Sequence, residues 1–158
     1  MKLILHAGAH VTDNDRLIKG LLRNREGFAK QGIAIPAPRR YRALLRDTLN
    51  ALSQGKPAPD ADVMFWDDVL DQDLSAVSRV VLSNTDFFGP PQIAIEGNIL
   101  YPTAERRIAA LASLFEGYDL EICLAIRNPA TWLNDLYGSS GAQSFSTFLP
   151  QTDPMQLR

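Results

Sequence analysis

The chain reads as a three-layer α/β fold with a mainly parallel central sheet. Short apolar strands alternate with amphipathic helices along most of its length, and clusters of glycine, proline and asparagine separate them. With 158 residues, 46% hydrophobic and 22% charged, there is enough apolar material for one globular domain, expected to span residues 1–158.

Lys2 to His6 is a short apolar strand that runs into Gly8. Leu17, Ile18, Leu21, Leu22 and Phe28 recur at helical spacing and predict a single helix, with Gly32 at its C-terminal end. Ile33 to Ile35 forms a second short strand closed by Pro36 and Pro38. Tyr41, Leu44, Leu45, Leu49 and Leu52 give a second helix, broken between Ser53 and Pro59. From Asp62 to Leu74, Phe65, Trp66, Val69 and Leu70 share one helical face, and aspartates fill the other.

The β-branched run from Val77 to Ser83 predicts a buried strand ended by Asn84, Asp86 and the Gly89, Pro90, Pro91 cluster. Ile93 to Leu100 follows as a loop or hairpin. Thr103, Glu105 and Arg106 open a helix with Ile108, Leu111, Ala112 and Phe115 inward, and Gly117 ends it. Leu120 to Ile126 is the most strand-like stretch. It leads through Arg127, Asn128 and Pro129 into a helix with Trp132, Leu133, Leu136 and Tyr137 on its apolar face. Beyond Gly138 no regular structure is expected.

Composition excludes several functions. A net charge of −2, from 16 basic and 18 acidic residues, gives no field that would draw the protein to nucleic acid or an anionic membrane. The single cysteine, Cys123, cannot form an internal disulfide and is expected to be buried packing. One cysteine and two histidines make no zinc pattern. Asp67, Asp68, Asp71 and Asp73 lack the glycine and terminal glutamate of a calcium loop, so no metal site is expected. The N-terminus is too short in apolar residues for a signal peptide, and no run reaches membrane-spanning length. A cytoplasmic protein is the expectation.

In parallel α/β folds, ligands gather outside the carboxyl ends of the strands. That edge collects Gly8 to Asp15, Ser83 to Asp86, and Arg127 with Asn128. The first of these has the outline of a phosphate-binding loop: strand, glycine-containing turn, helix. In such a loop, backbone N–H groups curl round an anion, a lysine neutralises it, and a helix N-terminus adds partial positive charge. Here the turn reads Val11, Thr12, Asp13, Asn14, Asp15, with carboxylates where an anion would sit.

The stretches LHAGAH and LAIRNPATWLNDLY, with LLRNREGFAKQGIAIP between them, resemble the sulfotransferase family, particularly its bacterial branch. The similarity covers most of the chain and implies a P-loop-type fold. Family members are usually longer, which leaves two readings open, a naturally short chain or one that lacks a C-terminal portion. In that family the first loop reads His-Lys-Thr-Gly-Thr-Thr and holds the 5′-phosphosulfate of 3′-phosphoadenosine 5′-phosphosulfate. Aligned on Gly8, His10 and Thr12, the family lysine falls on Val11, its glycine on Asp13, and its threonine pair on Asn14 and Asp15. The second motif pairs a strand-end arginine with a serine on the next helix to bind the 3′-phosphate. Arg127 matches the arginine, and the serine position falls on Asp135. Where bacterial members often show Ser-Ser-Glu, this chain has Ser83, Asn84 and Thr85.

The resemblance therefore implies donor-site positions at Gly8, Ala9, His10, Val11, Thr12, Arg127 and Asp135, with His10 the candidate catalytic residue. Unit charges at about 4 Å interact by roughly 4 kcal/mol at an effective dielectric of about 20. Exchanging a lysine's attraction for an aspartate's repulsion is thus expected to abolish ordinary donor binding. Asp13 or Thr12 has a local use as a cap for the following helix.

Three readings follow. The first is a sulfotransferase-like domain without cofactor, acting as a binding or scaffolding protein. The second is an active sulfotransferase that uses 3′-phosphoadenosine 5′-phosphosulfate through His10, Thr12, Arg127 and the N–H groups from Ala9 to Thr12, with a small-molecule or glycan acceptor. The third is a binder of an anionic glycan or nucleotide through Arg39, Arg40, Arg42 and Arg46. Each singled-out residue also has a plainer expectation. His6 and His10 read as packed and turn histidines, the arginines as a solvated helix face, Arg127 as a cation meeting Asp135 or Asp119, and Trp66, Trp132, Phe87 and Phe88 as core.

Overall fold

The computed structural model describes residues 1–52, 55, 57–149 and 152–157. Its sheet is parallel and four-stranded. The strands are β1 (Lys2–His6), β2 (Ile33–Ala34), β3 (Arg79–Ser83) and β6 (Asp119–Cys123), in the order β2-β3-β1-β6. Leu5 pairs with Leu82 on one side and Ile122 on the other, so the carboxyl ends of β1, β3 and β6 finish level. A separate antiparallel hairpin joins β4 (Ile95–Glu96) to β5 (Ile99–Leu100). The chain is α/β, as its alternating pattern predicts.

Side chains alternate across a strand, which decides what each sheet face carries. Leu3, Leu5, Val80 and Leu82 share one core with α3 (Pro38–Leu52), α4 (Ala61–Val69) and α5 (Ala104–Leu114). Tyr41, Leu45, Trp66 and Leu111 seal it. Ile4 and Val81, one position out of step, are only half-buried. A second core joins Ala9 and Ile95 to Trp132 and Leu136 of α6 (Pro129–Ser140) and to Phe148 of α7 (Phe145–Phe148). It packs the helix after β6 against the loop after β1. Trp66, Trp132, Phe87 and Phe88 are buried, as expected of core residues.

Several boundaries differ from the sequence reading. The first predicted helix is two: α1 (Arg16–Leu22) and α2 (Arg25–Ala29). Asn24 leaves helical geometry between them, and its side chain lies where a Cβ on Gly27 would meet Oδ1 at 2.7 Å. α3 begins at Pro38 rather than after it, because proline suits the first helical turn, whose N–H groups have no intrahelical partner. The predicted break falls partly on Ser53, Gln54 and Lys56, which lie outside the described residues. α4 stops at Val69, and Leu74–Ala76 forms a separate 3-10 turn capped by Asp73.

α6 passes through Gly138 to Ser140, and Gly141, at φ 72°, ends it in the left-handed conformation that glycine takes without strain. α7, beyond Gly138, is also regular, with Ser144 accepting a hydrogen bond from the Thr147 N–H. Cys123 is half-exposed rather than buried, since β6 is the edge of the sheet among the described residues. Among the described residues, no helix is long and apolar enough to cross a membrane.

Candidate functional site

The parallel register brings the loop after β1, the segment after β3 and the start of α6 to one edge, as the sequence places them. The strand-like path continues past β1. Ala7 N–H donates to the Cys123 carbonyl and Ala9 N–H to the Ala125 carbonyl, each at 2.9 Å. Gly8 is required by close packing, because a Cβ there would lie 2.8 Å from the Thr12 hydroxyl. That hydroxyl donates back to the Ala9 carbonyl. The loop then turns through positive φ at Val11 (54°), Asn14 (50°) and Asp15 (62°). For a β-branched valine this is a strained conformation that the surrounding structure must hold.

His10 is the most tightly held residue of the loop, only 2% exposed. Its backbone N–H donates to the Tyr101 hydroxyl at 2.9 Å, and that hydroxyl donates to Nδ1 at 3.0 Å. Burial pushes the Tyr101 hydroxyl above its ordinary range, so it keeps its proton and can donate. Nε2 donates to the Gly89 carbonyl at 2.9 Å, and the His10 carbonyl accepts from Trp132 Nε1 at 3.0 Å. This pattern satisfies a neutral imidazole at both nitrogens. The N–H groups of Ala9 and His10 are spent inside the protein rather than presented to an anion.

The carboxylates meet internal partners. Asp13 accepts from the Leu17 N–H at 3.1 Å, capping α1 as its position suggests. Arg42, from the first turns of α3, reaches Asp15 with both terminal nitrogens, at 3.1 and 2.6 Å. The same guanidinium donates from Nε and Nη2 to the Ser83 carbonyl at 3.0 and 2.8 Å. This fork holds the Asp15 carboxyl below the usual carboxylate range. Arg127 pairs with Asp135 at 2.7 Å and donates to the Val11 carbonyl at 2.9 Å, tying the loop to α6. Of its two expected acidic partners it takes Asp135.

His6 is also buried, its Nδ1 3.0 Å from the Ser83 hydroxyl. Tyr41 closes the site from below: its hydroxyl donates to the Ser83 carbonyl at 2.7 Å and accepts from the Ser83 N–H at 2.8 Å. Above these groups lies an open cleft of about 320 Å³, lined by Asn14, Asp15, Thr85, Asp86 and Ser139 around His10.

The chain matches no family model, no curated protein and no solved structure.

Gly8, Ala9, His10, Val11, Thr12, Arg127 and Asp135 do fall at one edge, but as a network bonded to itself. The four arginines after β2 do not form one surface. Arg40 pairs with Asp71, Arg46 with its neighbour Asp47, Arg39 is exposed, and Arg42 turns into the site. Tyr101 is the residue that sequence reasoning missed, whereas Arg42 was named among the four arginines of an anion-binding or solvated face and instead pairs with Asp15. The signal for Arg42 was its place in the helix after β2, which a parallel sheet puts beside the β1 loop. Tyr101 gave no local signal. Among the described residues, no group of acidic, histidine or cysteine side chains is arranged to hold a metal ion.

Proposed function

We propose that the chain is a sulfotransferase-like α/β domain that does not hold 3′-phosphoadenosine 5′-phosphosulfate and acts by binding rather than by group transfer. The observation that carries this reading is the Asp15–Arg42 fork. An arginine beside a phosphate-type loop would ordinarily meet the ligand's oxygens, and here an aspartate of the loop takes that place. Arg127 is used in the same way by Asp135, at the position matched to the second donor motif. Two guanidinium groups are thus neutralised from within, and an incoming phosphate would have to displace a carboxylate at each.

The state of His10 supports the same conclusion. A general base must reach its substrate's proton, yet both His10 ring nitrogens are engaged inside the protein. The test is calorimetric titration of the intact chain with 3′-phosphoadenosine 5′-phosphate, the desulfonated donor. No saturable heat is expected through millimolar concentrations, and micromolar affinity would overturn the reading.

A further inference from the structure

We propose that the cleft at the carboxyl edge binds a small organic cation carrying an ammonium group and adjacent hydroxyls, in the chemical class of an amino sugar or amino alcohol. The proposal deepens the reading of the same site as a non-donor binding domain and rests on it. Its starting point is the charge balance of the cleft. Asp15 is paired with Arg42, and the hydrogen bonds of His10 suit a neutral ring. Arg127 and Asp135 offset each other. Asp86 remains. Its carboxylate is 68% exposed and, among the described residues, meets only His10 Nε2, at 3.4 Å, a proton already directed to the Gly89 carbonyl. Lys19, on the Asn14 carbonyl at 3.4 Å, adds its attraction to Asp15 and is not among the residues that line the cleft.

One uncompensated carboxylate in a concave site repels phosphate and sulfate and attracts an ammonium. The other lining groups narrow the class. Asn14, Thr85 and Ser139 offer neutral donors and acceptors, which suit hydroxyls better than further charge. The Ser139 hydroxyl gives its proton to the Asp135 carbonyl at 3.0 Å and keeps its lone pairs for a ligand O–H. Val11 and Pro91 supply an apolar wall on which a ring's C–H face can rest. At about 320 Å³ the cleft is near the lower end of small-molecule sites, so the occupant is of monosaccharide size.

The test compares glucosamine with glucose, near-isosteric sugars that differ in one ammonium group, by NMR-detected titration at a pH where the amine is protonated. Saturable binding of glucosamine is expected, tighter than glucose by about two- to fivefold, as an ion pair to a mostly exposed carboxylate gives. Asp86→Asn is expected to remove that preference without unfolding the chain, since the one partner of this carboxylate among the described residues, His10 Nε2, keeps its hydrogen bond to the Gly89 carbonyl. Equal affinity for the two sugars, no binding of glucosamine, or an unchanged preference in Asp86→Asn would each overturn the proposal. Those failures leave the titration with 3′-phosphoadenosine 5′-phosphate unaffected, whereas donor binding would overturn the underlying reading itself.

Discussion

Replacing His10 with alanine is expected to lower the unfolding free energy by about 3–4 kcal/mol, measured by denaturant unfolding. The substitution leaves the Gly89 carbonyl and the Tyr101 hydroxyl short of partners in a buried place, at roughly 1–3 kcal/mol for each unsatisfied group. It also opens a void where a residue was 2% exposed, and the wall, with Trp132 bonded to the His10 carbonyl, can close only in part. A loss below about 1 kcal/mol, the usual net value of one hydrogen bond, would mean that His10 is held loosely enough to serve chemistry.

The next largest effect is expected at Arg42. Truncation to alanine strands the Asp15 carboxylate and removes two donors from the Ser83 carbonyl, which keeps the Tyr41 hydroxyl. Breaking a fully buried pair costs about 3–5 kcal/mol. This one is partly exposed, at 26% and 30% for the two side chains, so about 2 kcal/mol is expected near neutral pH. The loss should depend on pH with a defined sign. Asp15 titrates below its unfolded value in the fold, so its contribution is complete above about pH 4 and disappears as pH falls through the folded value. The gap between wild type and Arg42→Ala should therefore narrow in acid. A gap that is constant down to low pH would place the effect in packing rather than in the ion pair.

The alternation of strands and helices was legible because it rests on local periodicity. Lys2–His6 as a strand, Pro129 opening a helix and the buried Trp66 all follow from spacing alone. What the sequence left dark depends on strand order. Cys123 lies in an apolar run and looks like core, but among the described residues β6 is at the sheet's edge, and periodicity does not reveal an edge. The break at Asn24 was hidden for a related reason: the apolar spacing continues across it, while the Asn24 backbone leaves helical geometry at φ −120°.

In the site, Gly8, His10, Arg127 and Asp135 could be placed together from motif positions, and the caps and ion pairs of the carboxylates were partly foreseen. Asp13 does cap α1 and Arg127 does meet Asp135. The role of Arg42 was obscured by its neighbours: three other arginines nearby suggest a solvated face, and only the tertiary placement of α3 turns this one toward Asp15. Tyr101, 91 residues from His10, is brought to it by tertiary folding that no local pattern encodes.

That the loop's own carboxylates fill the places a bound phosphate would take is the central expectation. It is tested most directly by an NMR-monitored pH titration of the Asp15 side-chain carboxyl, with and without 3′-phosphoadenosine 5′-phosphate. A titration below the usual carboxylate range that the nucleotide leaves unmoved is expected. An ordinary carboxylate titration, or one that shifts upward as the nucleotide displaces Asp15 from Arg42, would contradict it.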